Sequence, residues 1–259
     1  MKPLLLKTTL LMATLFSLAC GKDDDIICGS CGGDGTPWAQ VGQPSAADTA
    51  TVKARTIFFA HKSVGENIVT GIENNSSMDV QRVWANQLNS IGSTTAFYHH
   101  DMVPPNSEPM GKITAFENAL DAMDKSGNTV DIALMKFCYA DFYSNAKVNE
   151  VFTTYKNTLA KLQQRFPKVL FLHVTVPLER SNSGPREEFN ALLRETYGEK
   201  LFDLATLESI RPDKSIAQQN DIIVLASEWT SDGGHLNAAG QKHIAGSLIS
   251  FLANAKLNK

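Results

Sequence analysis

From residue 53 onward the chain alternates short apolar runs with stretches whose apolar residues recur every three to four positions. The first run, residues 56–60, is apolar throughout after Thr56 and predicts a strand, with a short helix over 66–74. A β-branched stretch at 80–84 predicts a second strand, and 111–125 a helix. Residues 130–137 form a longer run of the kind found in strands buried on both faces. Val148, Val151, Phe152, Tyr155, Leu159, Leu162 and Phe166 trace one face of a long helix, which Pro167 ends. Residues 169–174 predict the next strand, and Pro185 opens a helix with Phe189, Leu192 and Leu193 turned inward. A brief strand at 201–203 and a last helix over about 238–253, carrying Ile244, Leu248, Phe251 and Leu252 on one face, complete the pattern. Strand and helix alternating over short connections predict an α/β fold, a three-layer α/β/α sandwich around a central parallel sheet.

The N-terminal fifth follows another pattern. Lys2 and Lys7 precede an apolar core at 10–18, and Ser17-Leu18-Ala19-Cys20 follows. This resembles a bacterial lipoprotein signal, which implies removal of residues 1–19 and lipidation of Cys20. An ordinary secretory peptide or a short membrane anchor are the other readings. Residues 20–52 then read as a lipidated cysteine and a flexible tether, with a charged start, a glycine-rich middle and no apolar period. Residues 53–259 form the folded domain.

Composition narrows the function classes. An apolar content of 43% and a charged content of 20% are those of a globular protein, and a net charge of −3 offers no basic footprint for nucleic acid. Two of the four cysteines, Cys28 and Cys31, give a lone C-x-x-C in the tether, half of what a structural zinc needs. A small disulfide in an oxidising compartment, or plain linker chemistry, is the simpler reading. Cys138 lies at the end of a predicted strand without a base nearby, as an apolar filler does.

The chemistry concentrates in Ser231-Asp232-Gly233-Gly234-His235-Leu236-Asn237. Two glycines let the Asp232 carboxylate turn back onto the His235 ring, fixing its tautomer and supporting its charged form. The nucleophile this pair lacks is expected at Ser63, three residues beyond the first strand, where a loop enters a helix at the carboxyl edge of the sheet. A serine there also suits a helix N-cap.

These stretches resemble the SGNH/GDSL hydrolases over residues 53–253. Asp232-Gly-Gly-His235-Leu-Asn-Ala-Ala-Gly240 matches the family's last block; Val174 to Pro177, Phe189-Asn190 and Phe202-Asp203-Leu204 share its texture. The resemblance implies a flavodoxin-like fold and ester chemistry by Ser63, with His235 as base and Asp232 orienting it, without metal or cofactor. The chain departs from the pattern at two blocks. His61-Lys62-Ser63 stands where Gly-Asp-Ser is usual, and the third block, 136–141, lacks the asparagine that helps bind the oxyanion. Losing one such donor costs ~10²–10³ in rate. The second-block glycine is either Gly92 or Gly111.

Two residues are candidates to fill the gap. Asn67 lies one helical turn after Ser63 and leans back toward it, and Lys136 ends the third-block strand. A solvated amide and a strand-end salt bridge are the plainer roles for them. Among the remaining histidines, His99-His100-Asp101 reads as a surface loop with no further carboxylate or histidine to complete a metal site. His61 is either a hydrogen bonder behind the nucleophile or a strand-end residue, His173 a core histidine, and His243 solvent-facing.

The expectation is an envelope-anchored serine esterase acting on esters of glycans or lipids, O-acetyl sugars being the narrowest case. Its partners are then an ester substrate and, through Cys20, a membrane. Gly21 in place of aspartate favours the outer membrane. A non-catalytic glycan-binding or scaffold protein with this fold, and an O-acyltransferase with the same three residues, are the alternatives.

Overall fold

A computed structural model describes residues 44–258. The expected signal peptide and lipidation site, Cys20, and the Cys28–Cys31 pair lie outside them. The tether ends earlier than the composition suggested. Ser45 caps a helix, α1 (Ala46–Lys53), in a reciprocal arrangement with Asp48. Val52 is buried in the core.

Strand β1 (Ile57–His61) leads into α2 (Val64–Asn75), and the short β2 (Val80–Arg82) and β3 (Phe97–Asp101) follow. Next come α3 (Pro109–Lys125), β4 (Ile132–Met135), α4 (Val148–Arg165), β5 (Leu170–Val174), α5 (Gly184–Tyr197), β6 (Leu201–Phe202) and α6 (Leu204–Ser209). A two-stranded hairpin, β7 (Gln218–Gln219) and β8 (Ile222–Ile223), precedes the last helix, α7 (Ala238–Asn254). The six-stranded sheet has the order β2-β3-β1-β4-β5-β6, and every pairing in it is parallel. The expected α/β/α sandwich is present. The strand β3 was not anticipated, and the hairpin was missed.

Side chains alternate between two apolar layers. Ile57 and Phe59 of β1 face α2 and α7, whereas Phe58 and Ala60 face α3 and α4. Helices α2 and α7 approach closely because Gly71 has no side chain; a Cβ there would fall 2.3 Å from the Gln241 carbonyl oxygen. That contact holds the helix after Ser63 against the helix after His235. Arg55 ties the entry to β1 to the other end of α7 through the Leu252 and Ala253 carbonyls. Strand β1 has β3 on one side and β4 on the other. The chain therefore reverses its winding direction at β1, and a crevice opens beyond the carboxyl end of this strand. No helix among the described residues is long and apolar enough to cross a membrane.

Candidate active site

Ser63 stands at this carboxyl edge. It is the residue before α2, with φ 54° and ψ −113°, a conformation that crowds the Cβ of any residue but glycine. The turn from strand to helix is sharp, which lifts the side chain clear of the backbone. Its hydroxyl makes no capping bond to the helix. Instead Oγ lies 2.8 Å from His235 Nε2.

The His235 turn is built locally. Asp232 Oδ1 accepts the backbone N–H groups of Gly234 at 2.9 Å and His235 at 2.8 Å. Its other oxygen, Oδ2, lies 2.9 Å from His235 Nδ1. Gly233, at φ 92°, takes the left-handed conformation that the turn requires. Its N–H donates to Thr230 Oγ1 and its carbonyl accepts the Arg180 N–H. Asn237 then caps α7 through the Gly240 N–H at 3.0 Å, so the turn is fixed at both ends.

The backbone N–H of His235, then that of Gly234 and the imidazole, hold the Asp232 carboxyl well below the usual carboxylate range. An ionised Asp232 accepts from Nδ1–H, which leaves the Nε2 lone pair facing Ser63 Oγ. The side chains of His235 and Asp232 are 45% and 58% exposed, so water reaches the constellation directly.

The two gap-filling candidates are placed differently. Asn67 Oδ1 accepts the Leu236 N–H at 3.2 Å, which joins the first turn of α2 to the histidine turn. Its Nδ2 has no partner among the described residues. Lys136 is fully buried, and its Nζ has no hydrogen-bond partner among the described residues. A strand-end salt bridge is thus not its role, and burial keeps it from the open surface that Ser63 and His235 share.

Lys136 shares the interior with Glu208 of α6, which is also fully buried and accepts the Leu178 N–H through one oxygen. Burial lowers the Lys136 ammonium to about 8 and raises the Glu208 carboxyl to about 8. Cys138, Lys112 and Asp141 act on the first, and Arg186 on the second. The two groups affect stability with opposite signs. Between its unfolded value near 4.5 and about 8, Glu208 binds more protons folded than unfolded, so its contribution is lost as pH rises. Between about 8 and 10.5, Lys136 binds more protons unfolded, so stability returns with pH. The expected result is a dip in the urea midpoint near pH 8, shallower in Glu208→Gln. Identical profiles for the two proteins would count against the pair.

Tyr139, which the sequence reading passed over, stands beside the triad. Its ring meets the His235 ring edge-on at 6.1 Å, and a Cβ on Gly234 would lie 2.9 Å from its hydroxyl. Its place in the third block was the available signal. Burial pushes its phenol up to about 12, so it remains a neutral donor. Asp141 holds this loop, accepting the Cys138 and Ser107 N–H groups and the buried Lys112 ammonium. Cys138 is a free, buried thiol, as expected of a filler.

Two histidine expectations change. His99 and His100 lie in β3 and are buried rather than in a surface loop, His100 Nδ1 at 2.8 Å from the Val83 carbonyl oxygen. His99 Nδ1 lies 3.0 Å from His61 Nε2, so His61 is the inward hydrogen bonder and His99 does have a histidine partner. His243 stacks on Trp229 at 4.7 Å and is half-buried. His173 is a core residue bonded to the Tyr155 hydroxyl at 2.7 Å. Of the two second-block glycines, Gly111 opens α3 at the carboxyl edge, whereas Gly92 precedes β3 at the opposite edge.

Fold and site together define a parallel α/β/α sandwich with a serine–histidine–aspartate constellation at its carboxyl edge. A Bacteroides fragilis crystal structure described as a "putative acylhydrolase" is similar, with a TM-score of 0.50 and 11% identity, covering 82% of this chain and 89% of that one. A Streptococcus pneumonia structure described as a "putative platelet activating factor" gives 0.48 at 14% identity, covering 80% and 91%. At these identities the likeness to the first is one of fold. No family model matches the sequence, and no curated protein does.

Proposed function

We propose that the protein is a serine esterase of the SGNH type. The observation that carries this reading is the unbroken line from Ser63 Oγ to His235 Nε2 and from His235 Nδ1 to Asp232 Oδ2. Ser63 Oγ attacks the ester carbonyl carbon as its proton passes to Nε2, and Asp232 steadies the imidazolium that forms. The oxyanion lies against the Ser63 N–H at the start of α2 and the free amide of Asn67. The imidazolium then protonates the departing alkoxide, and water, activated by His235, releases the acid. The exposure of His235 favours water over a sugar hydroxyl as acceptor, and hence hydrolysis over transfer. The substrate class we assign is an ester on a glycan or lipid, with O-acetyl groups first, met at the cell envelope by a protein tethered through lipidated Cys20. A purely glycan-binding role has no use for the three residues together.

A fluorophosphonate probe followed by mass mapping tests the reading. Stoichiometric labelling at Ser63, lost in Ser63→Ala and in His235→Ala, is the expected result. A folded protein that does not label would be a binding protein, and glycan binding would be measured next.

A further inference from the structure

We propose that His61, His99 and Glu66 form a site for a divalent transition-metal ion, with zinc as the reference case, bracketing the turn that carries Ser63. Strands β1 and β3 are adjacent and parallel, with Phe59 opposite His99. Alternation along β1 therefore sets His61 and His99 on one face. Their rings stack at 5.3 Å with 10° between the planes, and both side chains are fully buried. His61 Nε2 and His99 Nδ1 are 3.0 Å apart, and Glu66 Oε2 lies 3.8 Å from the former. The three ligand atoms all fall within 4.8 Å of one another. Ligands at 2.0–2.1 Å around a tetrahedral zinc stand about 3.4 Å apart, a value that the His61–His99 and His61–Glu66 spacings fall on either side of.

Glu66 uses its other oxygen to pair with Arg82, which orients the carboxylate as an outer partner of a metal ligand does. The neighbouring Lys62 is matched with Asp101 at 3.2 Å. Glu66 is 43% exposed, so an ion enters from solvent on that side while the imidazoles close the other. His61 is held in place by Gly65, where a Cβ would fall 2.3 Å from the His61 Cβ. Its Nδ1 is buried with no partner among the described residues, so ligation through Nε2 places the ring proton on an Nδ1 that has no protein acceptor. His61 precedes Ser63 by two positions and Glu66 follows it by three. A bound ion would join the end of β1, the start of α2 and β3 around the nucleophile, and so raise the melting temperature.

The test is zinc titration by calorimetry, cobalt absorption and thermal melting on the full chain carrying Cys20→Ser, Cys28→Ser and Cys31→Ser, which leaves only the buried Cys138 thiol. One zinc per chain, cobalt d–d bands without thiolate charge transfer, and a higher melting temperature with zinc are expected. Glu66→Gln and His99→Gln should each weaken binding by about 10–100-fold, and His235→Ala should leave it unchanged. If His99→Gln does not fold, Glu66→Gln on the surface decides. Absence of stoichiometric binding, or binding that Glu66→Gln leaves intact or that His235→Ala removes, would overturn the site. None of these readouts depends on esterase activity.

Discussion

Asp232→Asn is expected to lower ester hydrolysis roughly 10⁴-fold in kcat while leaving KM and the fold nearly unchanged. The reason lies in how the two carboxylate oxygens are used. Oδ1 already accepts two backbone N–H groups, so in the variant the amide oxygen must take that position. The amide NH₂ is then forced to the place of Oδ2, 2.9 Å from His235 Nδ1. A donor there requires the Nδ1 lone pair, which moves the ring proton to Nε2. His235 then turns an N–H toward Ser63 Oγ and has no lone pair with which to take its proton. Fluorophosphonate labelling should slow by a comparable factor, and the variant should melt close to the wild type because Asp232 is exposed. A rate within tenfold of wild type would sink the assignment of Asp232 as the orienting acid.

The parts of this site that sequence makes legible are the parts built from neighbours in the chain. The Asp232–His235 contact spans three residues and two glycines, so its geometry follows from local turn chemistry. Helical spacing predicts that Asn67 leans toward Ser63. Its acceptance of the Leu236 N–H depends on α2 and α7 meeting at Gly71, which no local pattern reveals. Strand β3 reads Phe-Tyr-His-His-Asp, polar enough to pass for a loop, because the groups that satisfy its histidines are His61 and the Val83 carbonyl. Helix α1 is weakly amphipathic, and its capping pair, Ser45 and Asp48, was the signal to weigh. In the β7–β8 hairpin, Asn220 and Asp221 both take positive φ, the turn chemistry of a two-residue hairpin, between strands too short to show a period. The burial of Lys136 and Glu208 contradicts what charge predicts at any single position.

The third-block loop has its own anchor, and removing it should have the largest effect on stability. Asp141→Ala is expected to destabilise the protein by about 3–5 kcal/mol, because it strands a buried ammonium. The Lys112 and Asp141 side chains are both 0% exposed and lie 2.6 Å apart. Without the carboxylate, Lys112 Nζ keeps only Asn106 Oδ1 at 3.2 Å, and the N–H groups of Cys138 and Ser107 lose their acceptor. At about 2–4 °C per kcal/mol for a domain of this size, the melting temperature should fall by roughly 6–20 °C. Lys112→Met alone leaves the carboxylate with its two backbone donors, so it should cost less than Asp141→Ala. The double variant Lys112→Met/Asp141→Ala should cost less than the sum of the two, since neither charge is then left unpaired. Activity follows the same loop: with Asp141 gone, Tyr139 is no longer held against His235, and kcat should drop even at temperatures where the variant is folded. Urea unfolding and initial rates at low temperature separate the two effects. An Asp141→Ala protein within 1 kcal/mol of wild type would mean that water replaces the carboxylate, and that this loop is anchored from elsewhere.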